Sequence, residues 1–363
     1  MNIRFVGVLT GLLLSISSWA STLYVDVAGT NPVPPYSSWA TAATNIQDAV
    51  DVASSNDVVW VTNGYYLLSA EITVTNNITV QSVNGSDATI VDGGGSNRCF
   101  NLGGAACLVS GFTITNGYSS NYGGGVSCTN TTPVVSNSII TGNSAKSGGG
   151  GSYYGTLNNC TLTGNYTVST RGWGGGSCYS TLYNCLLTGN SAGFGGGIFR
   201  STANNCTITD NLAYDDGGGI VEGTANNCII YYNTAFSADA NWSADRSGST
   251  LSHCCTEPLP GGTGNITNNP VLVGTSHIHA DSPCVGAGSS IYALGTDIDG
   301  EAWAVPPSIG CDEPLATFSG GLSVSVLAEY TNVVAGYSLA FSSKISGEVA
   351  SSIWTFGDGA SLL

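Results

Sequence analysis

A repeat of about 22 residues constrains the fold of this chain more than any other feature of its sequence. Its clearest copies read Asn-Cys-x-[Ile/Leu], and their cysteines are 25, 21 and 22 residues apart: Cys160, Cys185, Cys206 and Cys228. Glycine triplets recur with the same period, at residues 123–125, 149–151, 174–176, 195–197 and 217–219. Each repeat alternates apolar and polar residues over a short strand, and Gly and Asn occupy the corners. This pattern predicts one coil of a parallel β-helix.

Stacked coils place equivalent residues of successive repeats in columns. The predicted inward columns are Ile114, Ile140, Leu162, Leu187, Ile208 and Ile230, and beside them Phe112, Ser138 and the four cysteines. We expect the stacked thiols to stay unbridged, because side chains in register point the same way; some bridging is the alternative. A predicted asparagine ladder, with amides bonded along the stack and left-handed backbone, consists of Asn143, Asn165, Asn190, Asn211 and Asn233.

The predicted fold class is all-β, a right-handed parallel β-helix of about ten coils. Residues 43–54 form the one convincing helix, with Ile46, Ala49 and Val50 on its apolar face, and we expect it to cap the N-terminal end. The predicted boundaries are a signal peptide over 1–20, β-helix repeats over 21–255 and a C-terminal closure over 256–315.

The N-terminus predicts export. Arg4 precedes an apolar run of residues 5–16, and small residues at Ser18 and Ala20 suit cleavage after Ala20. No later apolar run is long enough to cross a bilayer, so we expect a secreted or cell-surface protein, and a monomer. The net charge of −16, with only 8% charged residues, argues against nucleic acid and anionic membranes as partners.

The glycine-rich coils and Asn-Cys-x-[Ile/Leu] strands resemble the pectate-lyase-like β-helix proteins of bacterial surfaces. Closest are the polymorphic-outer-membrane type and the choice-of-anchor Q group. The resemblance covers roughly residues 22–315 and includes several short motifs: residues 23–26, 43–47, 111–113, 254–256, 281–284, 297–300 and 309–310. It implies the β-helix fold and surface exposure rather than one reaction.

The C-terminal residues 322–363 are similar to the start of a PKD domain, an immunoglobulin-like β-sandwich. The similarity rests on Trp-Thr-Phe-Gly-Asp-Gly at residues 354–359. A complete sandwich of this kind needs about 100 residues. We therefore expect an incomplete, truncated β-sandwich here.

Candidate catalytic residues are Asp210, Asp215, Asp216 and Arg200, which lie in neighbouring coils. The β-helix polysaccharide lyases use carboxylates that hold Ca²⁺ and a basic residue, and glycosidases use paired carboxylates. Asp-Asp-Gly is also ordinary turn chemistry, which is the simpler interpretation.

An aromatic residue precedes several glycine triplets, at Tyr122, Trp173, Phe194 and Tyr214. Stacking would align these side chains along one edge, where aromatic rings pack against sugar rings. The alternative is that they only stabilise turns. The candidate carbohydrate-binding site would take an extracellular polysaccharide or a cell-surface glycan.

Candidate metal ligands lie near the C-terminal end of the repeats. Asp297 and Asp299 are candidate Ca²⁺ ligands, although their spacing also suits a tight turn. His277 and His279 alternate along a predicted strand, which is too few ligands for a site. Cys284 and Cys311 are candidates for one disulfide.

Three functional hypotheses follow. The first is a surface module that binds glycans or mediates adhesion. The second is a polysaccharide lyase or glycoside hydrolase, which would need carboxylates and a base in one cleft. The third is a structural stalk.

Overall fold

The structure is a computed structural model that describes residues 20–103, 106–236, 240–243 and 248–314, and four strands beyond residue 322. The signal-peptide prediction lies outside the described residues, apart from Ala20. The chain divides into two units, residues 1–313 and 314–363. The first is a parallel β-solenoid, which confirms the predicted all-β fold class.

Four parallel sheets run along the solenoid, and a complete coil passes through sheets 1, 2, 3 and 4 in turn. Sheet 1 has ten strands: Thr22–Val25, Val58–Val61, Thr79–Ser82, Leu108–Ser110, Val134–Ser136, Thr156–Asn158, Thr181–Tyr183, Thr202–Asn204, Thr224–Asn226 and Thr250–Ser252. Sheet 2 has nine: Gly64–Leu67, Thr89–Asp92, Thr113–Thr115, Ile139–Thr141, Thr161–Thr163, Leu186–Thr188, Thr207–Thr209, Ile229–Tyr231 and Cys255–Thr256.

Sheets 3 and 4 are shorter. Sheet 3 has six strands: Tyr118–Ser119, Ser144–Ala145, Tyr166–Thr167, Ser191–Phe194, Leu212–Asp216 and Thr234–Ala235. Sheet 4 has seven: Ile72–Val74, Phe100–Leu102, Val126–Cys128, Ser152–Tyr153, Ser177–Cys178, Ile198–Phe199 and Ile220–Val221. At a strand spacing of about 4.8 Å, the ten strands of sheet 1 span roughly 43 Å.

The interior is built from columns of side chains in register. On sheet 2 the central residues pair one above another and are fully buried: Ile114, Ile140, Leu162, Leu187, Ile208 and Ile230. The alternation of inward apolar and outward polar residues therefore sets the register of every coil, because a slip by one residue would expose the column.

A column of buried thiols stands beside this core. Cys160, Cys185, Cys206 and Cys228 are fully buried, and all twelve cysteines of the chain are free. Cys254 belongs to the same column, because the strand pairing of Ile229 with Cys255 places it above Cys228. Cys254 therefore extends by one residue the column of four cysteines that the sequence predicts. The thiols donate to backbone carbonyls instead of forming bridges, as Cys185 does to Tyr183 at 3.1 Å.

The asparagine side chains hydrogen-bond to one another at the corner between sheets 2 and 3. Asn165 Nδ2 donates to Asn190 Oδ1 at 3.0 Å, and Asn190 Nδ2 donates to Asn211 Oδ1 at 2.9 Å. The left-handed backbone expected of these asparagines belongs instead to the residue before each of them: Gly142, Gly164, Gly189, Asp210 and Tyr232. Asp210 therefore occupies a corner position that is glycine in three other coils.

The glycine triplets form the corner that precedes sheet 4. Their first residues have positive φ, as at Gly149 (63°) and Gly174 (61°). A Cβ on Gly150 would lie 2.4 Å from the Tyr166 carbonyl oxygen and 2.6 Å from that of Gly175. Glycine is required at this second position because successive coils pack backbone against backbone.

The helix Ile46–Val52 is shorter than the predicted 43–54, because Asn45 caps its first turn by accepting from the Asp48 backbone N–H. The turn Trp39–Thr41 precedes it as a 3₁₀ helix. Gln47 donates to the Thr73 carbonyl at 3.2 Å and accepts from the Thr73 N–H at 2.7 Å. The helix thereby covers the first strand of sheet 4 and satisfies its open edge.

The segment of residues 256–313, here called the closure segment, packs against the side of the solenoid as well as its last coil. Leu186, Thr207 and Ile229 face outward from sheet 2 yet are buried. Thr207 Oγ1 accepts from the Cys311 N–H at 3.1 Å. The apolar outward side chains of Leu186 and Ile229 are stabilised by this cover.

The closure segment also determines the surroundings of the remaining thiols. It contributes the antiparallel pair Leu272–Val273 and His277–Ile278. Cys255, Cys284 and Ile309 pack in one buried cluster with Ile229. Cys284 and Cys311 are both free, which contradicts the candidate bridge between them. The thiol that hydrogen-bonds with Cys284 is Cys255.

The second unit contains two antiparallel strand pairs among its described residues. Ser323–Ala328 pairs with Phe341–Ser346, and Trp354–Thr355 pairs with Ser361–Leu362. Most of the predicted PKD motif at residues 354–359 lies outside the described residues. The incomplete sandwich over 322–363 therefore stays a prediction.

Candidate functional site

The aromatic residues before the glycine triplets do not form one continuous row. Tyr122 pairs with Gly148, Gly148 with Trp173, and Trp173 with Phe194. Phe194 then pairs with Asp216, because the register shifts at a bulge next to it. Tyr214 therefore lies outside the row, which corrects its assignment. It packs against Phe236 at a ring separation of 5.9 Å.

A larger aromatic surface covers the outer side of sheet 4. Its rings contact one another in sequence, and we call it the aromatic cluster: Tyr122, Tyr153, Tyr154, Trp173, Tyr179 and Phe199. Tyr122 stacks on Tyr153 with ring centroids 4.5 Å apart and an angle of 16°. Trp173 stacks on Phe199 at 5.7 Å, also at 16°. The Trp173 side chain is 37% exposed, so its ring is supported from one side and open to solvent.

A charged pair borders the aromatic cluster. The Arg200 guanidinium lies 5.3 Å from the centre of the Phe199 ring and donates to the Tyr179 hydroxyl at 2.9 Å. It also forms an ion pair with Glu222 at 2.6 Å. Tyr154, Tyr179, Arg200 and Glu222 occupy equivalent corners with φ between 47° and 59°. Such values are uncommon for bulky residues, and they hold these side chains on the outer surface.

The candidate catalytic residues occupy different corners of the coils. Asp210 lies at the corner between sheets 2 and 3, whereas Asp216 ends a strand of sheet 3 and accepts from Ser243 Oγ at 2.6 Å. Arg200 follows sheet 4 and pairs with Glu222. Asp215 is half-buried beside Asp216. The arrangement gives Arg200 a structural partner rather than a substrate-facing position between carboxylates.

Asp297 has a structural role in the closure segment. Its carboxylate is fully buried and accepts from the backbone N–H groups of Asp299 at 3.0 Å, Glu301 at 2.8 Å and Glu313 at 3.1 Å. Burial raises the pKa of the Asp297 carboxyl, and these hydrogen bonds oppose that shift. These contacts support the alternative of a tight turn, and a Ca²⁺ site at Asp297 stays a prediction.

Asp299 instead lies beside two residues from other parts of the closure segment. Its Oδ2 is 2.8 Å from His277 Nε2, and Asp312 Oδ1 is 3.9 Å from the same nitrogen. The ligand atoms of His277, Asp299 and Asp312 all lie within 4.8 Å of one another. Burial raises the pKa of the Asp312 carboxyl to about 6. Sequence analysis missed Asp312, and its position after Gly-Cys was the only local signal.

A polar groove opens between the closure segment and the part of sheet 2 that contains Ile139 and Thr161. One part encloses about 320 Å³ and is lined by Asn137, Asn159, Thr161, Ser276 and Asp299, among others. An adjoining part of about 420 Å³ shares Asn137 and Asn159. The groove therefore begins where the closure segment stops covering the corner asparagines.

No family model and no curated protein matches the chain. Among solved structures, it is similar to the pectate lyase Pel9A, with a TM-score of 0.48 and 13% identity over 82% of this chain and 97% of that one. It is also similar to a pectin methylesterase in complex with hexasaccharide VII, with a TM-score of 0.30, 14% identity and coverage of 68% and 82%.

None of the helices in the described ranges has the length and apolar character needed to span a bilayer.

Proposed function

We propose that this chain is an exported or cell-surface module that binds neutral polysaccharides through the aromatic cluster. The observation that carries the proposal is the contiguous outer surface on which Trp173 stacks on Phe199 and remains 37% exposed. Most of these rings lie apart from the interior columns, because Phe199, Tyr153 and Tyr179 pack in a separate cluster, whereas Tyr154 packs against the main core.

The chemistry of this surface suits a sugar ring. An aromatic ring that is supported from behind presents a rigid apolar face, which costs little conformational entropy when a ligand stacks on it. Tyrosine hydroxyls and the Arg200–Glu222 pair next to it supply hydrogen-bond donors and acceptors for sugar hydroxyls. The apolar aromatic face can stack on a pyranose ring, and the polar border can hydrogen-bond to its hydroxyl groups.

Charge favours neutral over anionic glycans. The net charge is −16, so a polyuronate would experience long-range repulsion at low ionic strength. Two cations border the aromatic cluster, and both are paired with carboxylates: Arg200 with Glu222, and Arg98, which donates to the Tyr122 carbonyl, with Glu71. We therefore expect xylan, glucomannan or β-glucan to bind in preference to polygalacturonate.

The test is retention of the full chain in native gels that contain each of these four polysaccharides. Trp173→Ala should remove retention while leaving the circular dichroism spectrum unchanged, because the side chain is partly exposed. Tyr214→Ala is the matched control, since Tyr214 is an exposed aromatic outside the cluster. Retention that survives Trp173→Ala would show that the cluster is not the site. Loss of retention in both variants would point to a nonspecific aromatic effect.

The same preparation distinguishes binding from the two alternatives. Release of reducing ends from a polysaccharide would favour the lyase or hydrolase hypothesis and direct attention to Asp215 and Asp216. Absence of both retention and release for all four polysaccharides would favour the structural stalk.

A further inference from the structure

We propose that His277, Asp299 and Asp312 bind a divalent transition-metal ion such as Zn²⁺ at the edge of the polar groove. The three residues come from separate parts of the closure segment: the strand His277–Ile278, the turn after Asp297 and the stretch after Cys311. This site is separate from the aromatic cluster, and the proposal does not depend on the polysaccharide binding proposed for that cluster.

The positions of the three ligand atoms fit a single ion. Asp299 Oδ2 and Asp312 Oδ1 lie 2.8 Å and 3.9 Å from His277 Nε2, and all three atoms are within 4.8 Å of one another. A Zn²⁺ ion with bonds of about 2.0–2.2 Å holds its ligand atoms about 3–4 Å apart. Small side-chain rotations at the half-exposed His277 and Asp299 therefore complete the geometry.

Neighbouring groups hold each ligand in place. Ser276 Oγ lies 2.9 Å from His277 Nδ1, so the hydroxyl can accept from that nitrogen and leave the Nε2 lone pair toward the carboxylates. The Ile278 N–H donates to Asp312 Oδ2 at 2.9 Å, which leaves Oδ1 directed at His277. Asp297 joins the segments of Asp299 and Asp312, because it accepts from the backbone of both Asp299 and Glu313.

The burial of Asp312 is the second observation that points to a cation. Its side chain is 4% exposed, and its Oδ1 atom lies 3.9 Å from His277 Nε2. Burying a carboxylate is costly, and a bound cation offsets that cost. The other Asp312 oxygen accepts from the Ile278 N–H, so the surrounding backbone already stabilises a carboxylate at this position.

The donor set indicates the type of ion. Ca²⁺ and Mg²⁺ prefer oxygen ligands alone, whereas an imidazole with two carboxylates suits Zn²⁺ and other divalent transition metals. Three protein ligands leave at least one coordination position for water or a ligand oxygen. Ser276 and Asp299 line the groove, so this position is reached from it.

The test is Zn²⁺ titration of the chelator-treated full chain by calorimetry. We expect one Zn²⁺ per chain, with affinity reduced about tenfold or more in His277→Ala and in Asp299→Asn. His279→Ala is the matched control and should bind as the parent does, because His279 lies outside the three-residue cluster and pairs with the exposed Asp281 at 3.5 Å. Both test residues are half-exposed, so the variants should fold, and circular dichroism checks this.

Co²⁺ spectra exclude binding to cysteine. Co²⁺ at this site should give a spectrum without thiolate-to-metal charge transfer, whereas the column thiols would produce that band. An absence of binding, an affinity unchanged by His277→Ala, a thiolate band, or equal competition by Ca²⁺ would each overturn the proposal.

Discussion

Removing one member of the asparagine ladder should destabilise the solenoid severely. Asn190 is fully buried, and its Oδ1 accepts from both the backbone N–H and the Nδ2 of Asn165, each at 3.0 Å. Its Nδ2 donates to the Leu162 carbonyl and to Asn211 Oδ1, each at 2.9 Å. Asn190→Ala therefore deprives two buried donors of Asn165 of their acceptor.

The magnitude follows from those two donors. A buried donor without its acceptor costs about 1–3 kcal/mol, so two of them cost about 2–6 kcal/mol. This is a large share of the roughly 5–15 kcal/mol that stabilises a typical folded protein. The substitution also removes the hydrogen bonds that the Asn190 side chain donates to Leu162 and Asn211, so its coil loses side-chain contacts with both neighbouring coils.

Urea unfolding under reducing conditions measures the loss, and hydrogen exchange at the Asn165 amide locates it. Exchange at Asn165 should accelerate, because its N–H faces a gap after the substitution. Asn158→Ala is the control and should change the free energy of unfolding by no more than about 0.5 kcal/mol, since Asn158 is half-buried on the outer face of sheet 1. A free energy of unfolding within about 1 kcal/mol of the parent, with slow exchange at Asn165, would refute the reasoning.

Two further predictions concern packing and pH. Gly150→Ala should cost about 1–3 kcal/mol in thermal or urea unfolding, because the new Cβ would lie 2.4 Å from the Tyr166 carbonyl oxygen. Gly261→Ala, where no atom lies within 4 Å of the added Cβ, should be neutral; equal effects would contradict the argument. Burial raises the pKa of the Cys99 and Cys178 thiols to about 12. Folding therefore favours the protonated thiol, and this stability is fully present below the unfolded pKa near 8.5 and lost as pH rises toward 12. Each thiol should remove about 2 kcal/mol from the free energy of unfolding by pH 10, and an unfolding midpoint that stays constant between pH 8 and 10 would oppose this.

The sequence allowed the coil repeat and its inward columns to be predicted because both depend on local alternation. Ile140 and Leu162 recur at the same position of each repeat, so their register requires no knowledge of distant residues. The prediction of an aromatic row was wrong at Tyr214, because a bulge beside Phe194 shifts the strand pairing. A bulge depends on contacts between coils and leaves no mark in the repeat itself.

The candidate sites were less predictable, since they depend on the path of a non-repeating segment. Asp297 and Asp299 share a motif, yet one is held by the backbone and the other lies beside His277. Asp312 joins them only through long-range folding. One usable signal was overlooked: Leu186 and Ile229 are apolar at outward positions where Thr161 and Thr207 are polar. Those exceptions indicate that another part of the chain covers sheet 2.

The closure segment is matched in length to the coils that it covers. Its carbonyls at Ser289, Tyr292 and Thr296 accept from successive corner asparagines: Asn227, Asn205 and Asn184. The segment thus runs back along the rod and advances one coil for every three or four of its own residues. A coil inserted between Asn184 and Asn227 would break this match. A coil inserted before Asn159 would leave it intact and extend the groove by about 4.8 Å, so the solenoid can lengthen in one region without disturbing the closure segment and cannot do so in the other.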